Sequence, residues 1–93
     1  MEIDDLYIGD IVKVKDKDGP YVIVDIASTD AVYLIRLGET INFLLIVDVK
    51  HIEDKIDIPV DDPQTYLDGI SAALRKYREM YGDTLYRTRY RYT

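Results

Sequence analysis

The sequence predicts an α+β fold: a small five-stranded antiparallel barrel, one C-terminal amphipathic helix and a candidate final strand. Three observations predict it. Short β-branched runs separated by turn residues fill the first sixty positions. A segment with apolar residues three and four apart follows. The sequence then closes on "LYRTRYRYT", which alternates with period two.

The runs divide in order. "IVKVK" (Ile11 to Lys15) sets Val12 and Val14 on one face and Lys13 and Lys15 on the other. "DKDGP" (Asp16 to Pro20) is a turn, because Asp and Gly accept positive φ and Pro20 restricts the exit. "YVIVDIA" (Tyr21 to Ala27) is strand-like, "STD" turns, and "AVYLIRL" (Ala31 to Leu37) runs back. "GET" turns at Gly38, and "INFLLIVDVK" (Ile41 to Lys50) follows. "HIED" reads as one helical turn, and "KIDIPV" (Lys55 to Val60) as the fifth strand. Closing five short strands on one another limits exposed edges.

Residues 6–60 in this order resemble the small Src-homology-3-like and Tudor-like barrels. The resemblance rests on "IGDIVKVKDKDGPYVIVDI" (Ile8 to Ile26), a Gly-Asp opening and two valine-rich strands around a Gly-Pro loop, and on the later "VYLIRL" and "IVDVKHIE". It implies a binding fold whose partners are peptides, modified tails, RNA or proteins, and it names none of them. Many such barrels hold proline-rich peptides in an aromatic groove. Here only Tyr7, Tyr21 and Tyr33 are available on the barrel and there is no Trp, which disfavours that use.

The helix begins after "PVDDP". Asp62 suits the N-cap and Pro63 the first helical position. Apolar positions then fall at Tyr66/Leu67, Ile70, Ala73/Leu74, Tyr77 and Met80/Tyr81. Acids near the start and Arg75, Lys76 and Arg78 near the end match the helix dipole, and Gly82 stops the helix. Gly69 inside it costs about 1 kcal/mol against Ala, a cost that close packing would explain. One domain is expected over residues 1–93: barrel 6–60, helix 62–82, and an Arg/Tyr tail 84–93 read as a strand.

Composition narrows the function. With 47% hydrophobic and 32% charged residues, the chain is globular in character. It has no cysteine, so disulfides and thiolate chemistry are excluded. Its opening "MEIDD" is acidic, unlike a secretory leader, and its longest apolar run, Phe43 to Val47, is five residues. Neither a signal peptide nor a membrane span is expected, and the cytoplasm is the expected location.

Charge is segregated. Residues 1–74 hold six Lys/Arg and sixteen Asp/Glu, a net of −10, whereas residues 75–93 hold six and two, a net of +4. The acidic body repels nucleic acid, whose binding depends on neutralising phosphates.

No residue set carries catalysis. His51 is the single histidine, with no second histidine or cysteine to build a zinc site, and reads as a turn residue. "DKDG" lacks the third acid and closing Glu of a calcium loop. There is no phosphate loop, and Ser28 and Ser71 lack an elbow motif. The expectation is a protein that is not an enzyme and has no cofactor and no metal.

Tyrosine is the unusual count, nine in all and six in the last 28 residues. Tyr66, Tyr77 and Tyr81 read either as anchors of the helix to the barrel, with hydroxyls reaching water, or as an interface. In the tail, extended backbone sets Tyr86, Thr88, Tyr90 and Tyr92 on one face and Arg87, Arg89 and Arg91 on the other. The regular alternation favours a strand over a loose end or a nucleic-acid arm.

The expected function is a protein-binding module whose partner is a basic nucleic-acid-handling protein, with carboxylates standing in for phosphates. Candidate acids are Asp4, Asp5, Asp10, Asp16, Asp18, Asp25 and Asp30, with Asp16 and Asp18 foremost beside Tyr77, Tyr81, Tyr86, Arg87, Arg89, Tyr90, Arg91 and Tyr92. For the acids the plainer reading, a solvated and solubilising surface, is the favoured one. In general character the chain is similar to the regulators and inhibitors carried by phages, anti-CRISPR proteins among them. Two alternatives stay open. One is nucleic-acid binding through Arg75, Arg78, Arg87, Arg89 and Arg91. The other is a structural subunit, a homodimer included, that assembles by strand addition.

Overall fold

The computed structural model describes residues 1–38 and 44–82. The β-branched runs form strands β1 (Ile11–Val14), β2 (Tyr21–Ile26), β3 (Ala31–Arg36), β4 (Leu45–Asp48) and β5 (Ile52–Lys55), and the periodic segment forms helix α1 (Pro63–Tyr81). Every pairing is antiparallel, and the sheet order is β4-β3-β2-β1-β5. The α+β class holds. The expected barrel closure differs: among the described residues no pairing joins β4 to β5, so the two strands are the edges of the sheet. The tail strand expected over 84–93 lies outside the described residues.

Period-two alternation builds two cores. Val12, Val14, Tyr21, Ile23, Val32 and Leu34 line one face with Leu6 and Ile8. Ile11, Val22, Val24 and Ile35 line the other, under Ile70, Ala73 and Tyr77 of α1. Burying one such Val or Ile side chain contributes about 1.5–3 kcal/mol against leaving it in water. β2 is the central strand and is buried at all six positions, so it serves both cores.

One irregularity redirects a residue. The β2–β3 register runs Ile23↔Leu34 and then Asp25↔Tyr33, with Val24 unpaired in a bulge. Strict alternation would send Asp25 to the face of Tyr21 and Ile23. The extra residue turns it to the face of Tyr33, beneath α1.

The fifth strand sits earlier than its sequence pattern suggests. The helical turn expected at "HIED" is a 3-10 turn at Val49–His51, and Ile52 already opens the strand. β5 pairs with β1, and the Ile56 N–H donates to the Ile11 carbonyl at 2.7 Å. Ile56 and Ile58 pack toward the helix-side core, while Val60 is exposed.

Local signals position the rest. Asp16 (φ 62°) and Gly19 (φ 80°) take the left-handed positions of the β1–β2 turn. Asp62 holds the N-cap position of α1, but its Oδ1 accepts from the Thr65 hydroxyl at 2.9 Å rather than from a backbone N–H. At the other end the Gly82 N–H donates to the Arg78 carbonyl at 2.9 Å. A Cβ at Gly69 would lie 2.6 Å from Leu37 Cδ1, so the glycine lets the helix lie close on the end of β3. No helix among the described residues is long and apolar enough to cross a membrane.

Candidate functional site

Tyr77 is 6% exposed and reaches through the helix-side core to Asp25, itself 1% exposed. Its hydroxyl donates to Asp25 Oδ2 at 2.7 Å, and the Ile26 N–H donates to Asp25 Oδ1 at 2.8 Å. The hydroxyl therefore does not reach water, as the anchor reading supposed. Burial, joined by the hydrogen bond to Asp25 and that residue's charge, pushes the Tyr77 hydroxyl pKa well above the ordinary tyrosine value.

An aromatic series leads outward from this pair. The Tyr33 and Tyr77 ring centroids are 6.0 Å apart, and those of Tyr77 and Tyr81 5.2 Å apart. Tilted rings at such separations attract beyond their area burial. Tyr81 ends the series at 53% exposure, next to Met80 at 49%. A partner can meet Tyr81 here, whereas Tyr77 belongs to the core.

The acids sort by burial. Asp16 and Asp18 are exposed in the β1–β2 turn, and Asp4, Asp5 and Asp30 are exposed elsewhere. Asp10 and Asp25 are buried, which removes them from any acidic binding surface. Asp10 has a structural task. Its Oδ2 accepts from the Tyr7 N–H at 2.9 Å and lies 3.5 Å from Lys55 Nζ. The Lys55 ammonium also sits 5.8 Å from the Tyr7 ring centroid, so the cluster ties β5 to the segment before β1. On the surface Lys13 Nζ pairs with Glu53 at 3.0 Å.

Six of the expected partner-binding residues, Tyr86, Arg87, Arg89, Tyr90, Arg91 and Tyr92, lie outside the described residues. Arg75 and Arg78 are exposed on α1. His51 is exposed in the 3-10 turn, and no group of His, Asp and Glu suited to a metal ion occurs among the described residues.

Sequence patterning passed over Ile46. It is 60% exposed on edge strand β4, directly across from Tyr33. The signal was present: Leu45 and Val47 face the first core, so Ile46 between them must face the other way.

No protein-family model, curated protein or solved structure matches this chain.

Proposed function

We propose that the protein is a non-enzymatic, acidic protein-binding module whose partner is a basic nucleic-acid-handling protein, in the manner of a phage-borne or anti-CRISPR-like inhibitor. One observation carries this reading. Asp5, Asp16, Asp18, Asp54, Asp57 and Asp61 are exposed, and none forms an ion pair among the described residues. Carboxylates with no cation against them leave a net negative potential over the surface, screened by salt, and a cationic channel built for phosphates is the surface that potential attracts. The module acts by occupancy: it holds negative charge where nucleic acid would lie.

The same reading takes the sheet as an incompletely closed barrel. Leu45 and Val47 of β4 and Ile52 of β5 come from opposite edges and pack on one core, which supports a curled sheet. It places the module in the cytoplasm, where such partners work.

A pull-down with immobilised full-length protein tests the reading. Retention of basic nucleic-acid-handling proteins that elute as salt rises is expected. A gel shift with single-stranded and duplex DNA and RNA at low salt is expected to be negative. Nucleic-acid binding, with no such protein retained, would replace this reading with the direct nucleic-acid one.

A further inference from the structure

We propose that the outer edge of β4 accepts an extended segment of a partner protein as an added strand, one that sets an apolar side chain beside Ile46 and a basic side chain beside Asp48. This rests on the reading of the protein as an acidic partner-binding module and names where and how the partner docks.

Backbone geometry supplies the edge. The Ala31 carbonyl accepts from the Ala27 and Ser28 N–H groups, so Ala31 faces β2, away from its partner Asp48. The Val49 N–H donates to the Asp30 carbonyl at 2.8 Å, so Val49 faces β3. Antiparallel pairing alternates, and Ile46 and Asp48 therefore direct their N–H and C=O groups outward. Among the described residues no strand meets them.

Side chains define the occupant. Ile46 shares a non-hydrogen-bonded pair with Tyr33 and so lies on the helix side of the sheet, and Asp48, two residues on, lies on the same side. An added strand presents to them two side chains that are also two positions apart. Ile46 at 60% exposure asks for an apolar one, and Asp48, whose Oδ1 accepts from the Lys50 N–H at 2.9 Å, offers Oδ2 to a cation. The wider field agrees, since the described residues carry sixteen acids against nine Lys/Arg.

Other occupants fit less well. A second copy brings a net charge of −6 and its own Asp48 to the same edge. The chain's own 84–92 sequence spaces Arg with Arg and Tyr with Tyr or Thr at intervals of two and offers a single apolar–basic pair, Leu85 with Arg87. The opposite edge, β5, carries exposed Glu53, Asp54 and Lys55, the charged pattern that deters strand addition.

The test uses the full-length, isotope-labelled protein and a capped peptide, Thr-Val-Thr-Lys-Thr-Val-Thr-Lys-Thr, with a control in which Glu replaces Lys. Amide shifts and hydrogen exchange are read at Ile46 and Asp48. The Lys peptide is expected to slow exchange of these two amides by about tenfold, and the Glu peptide to leave them unchanged. Ile46→Lys is expected to abolish the effect and Ile46→Glu to retain part of it; both sit at an exposed position. Equal response to both peptides, or none, overturns the proposal. So does protection of Ile46 and Asp48 without peptide, whether it rises with protein concentration, as a second copy requires, or is independent of it, as the chain's own segment requires. A basic protein that binds wild type and Ile46→Lys equally overturns the docking site and leaves the acidic module standing. Peptide binding without any basic protein partner does the reverse.

Discussion

The Tyr77 hydroxyl and the Asp25 carboxylate meet at 2.7 Å across 52 positions of sequence, and both are buried. This contact joins α1 to the central strand of the sheet and satisfies a carboxylate that the core would otherwise penalise. Tyr77→Phe removes the donor and leaves the acid in place. A loss of about 1.5–3 kcal/mol in urea unfolding is expected, the range for hydrogen bonds to charged groups. An unchanged midpoint would show that the pair contributes nothing net.

Alkaline pH acts on the same contact. The folded-state pKa of Tyr77 is raised above its unfolded value, chiefly by burial. The corresponding stability is whole below the unfolded tyrosine pKa of about 10 and is lost as pH climbs toward the raised folded value. Unfolding free energies measured from pH 8 upward are expected to decline above about pH 10 in wild type. The decline is expected to be shallower in Tyr77→Phe. Parallel curves would contradict the assignment.

Much of the fold was legible because its signals are local. The spacing of Ile70, Ala73 and Tyr77 defines one helical face whatever it packs on, and Pro63 and Gly82 mark its ends. The placement of Asp25 was not legible. Only the bulge at Val24 turns it to the helix side of the sheet, where Tyr77 meets it, and a bulge depends on the partner strand, not on the strand's own pattern. The fifth strand departs from its sequence pattern for a related reason. Ile56 and Ile58 alternate as a strand would, but pairing with β1 begins at Ile52, in a stretch whose acids read as a turn. The acidic surface was half legible: composition gives the charge, and the fold decides that Asp10 and Asp25 are inside.

Gly69 provides a packing prediction. Alanine there gains about 1 kcal/mol of helix propensity. Its Cβ would lie 2.6 Å from Leu37 Cδ1 and 3.2 Å from Cγ, so turning the Leu37 end group does not relieve both contacts. Overpacking of about 1–3 kcal/mol outweighs the propensity gain. Gly69→Ala is expected to lower the thermal midpoint, and the same change in a Leu37→Ala background to raise it. A rise in both backgrounds would show that the helix does not lie close on Leu37.

Asp16 and Asp18 separate binding from folding. Both are exposed, and asparagine tolerates the positive φ of Asp16 at least as well as aspartate. The double change Asp16→Asn, Asp18→Asn is expected to shift stability by less than about 0.5 kcal/mol. Binding to a basic partner is expected to weaken, with a smaller dependence on salt. Full retention of affinity would assign these two acids to solubility alone.

The most direct measurement is competition. A basic nucleic-acid-handling protein recovered with the full-length chain is titrated with that chain, alone and after saturation with duplex DNA. The acidic-module account predicts binding that weakens steeply with salt and that bound DNA blocks. Binding that is indifferent to salt, or that proceeds undiminished on the DNA-bound protein, would contradict it.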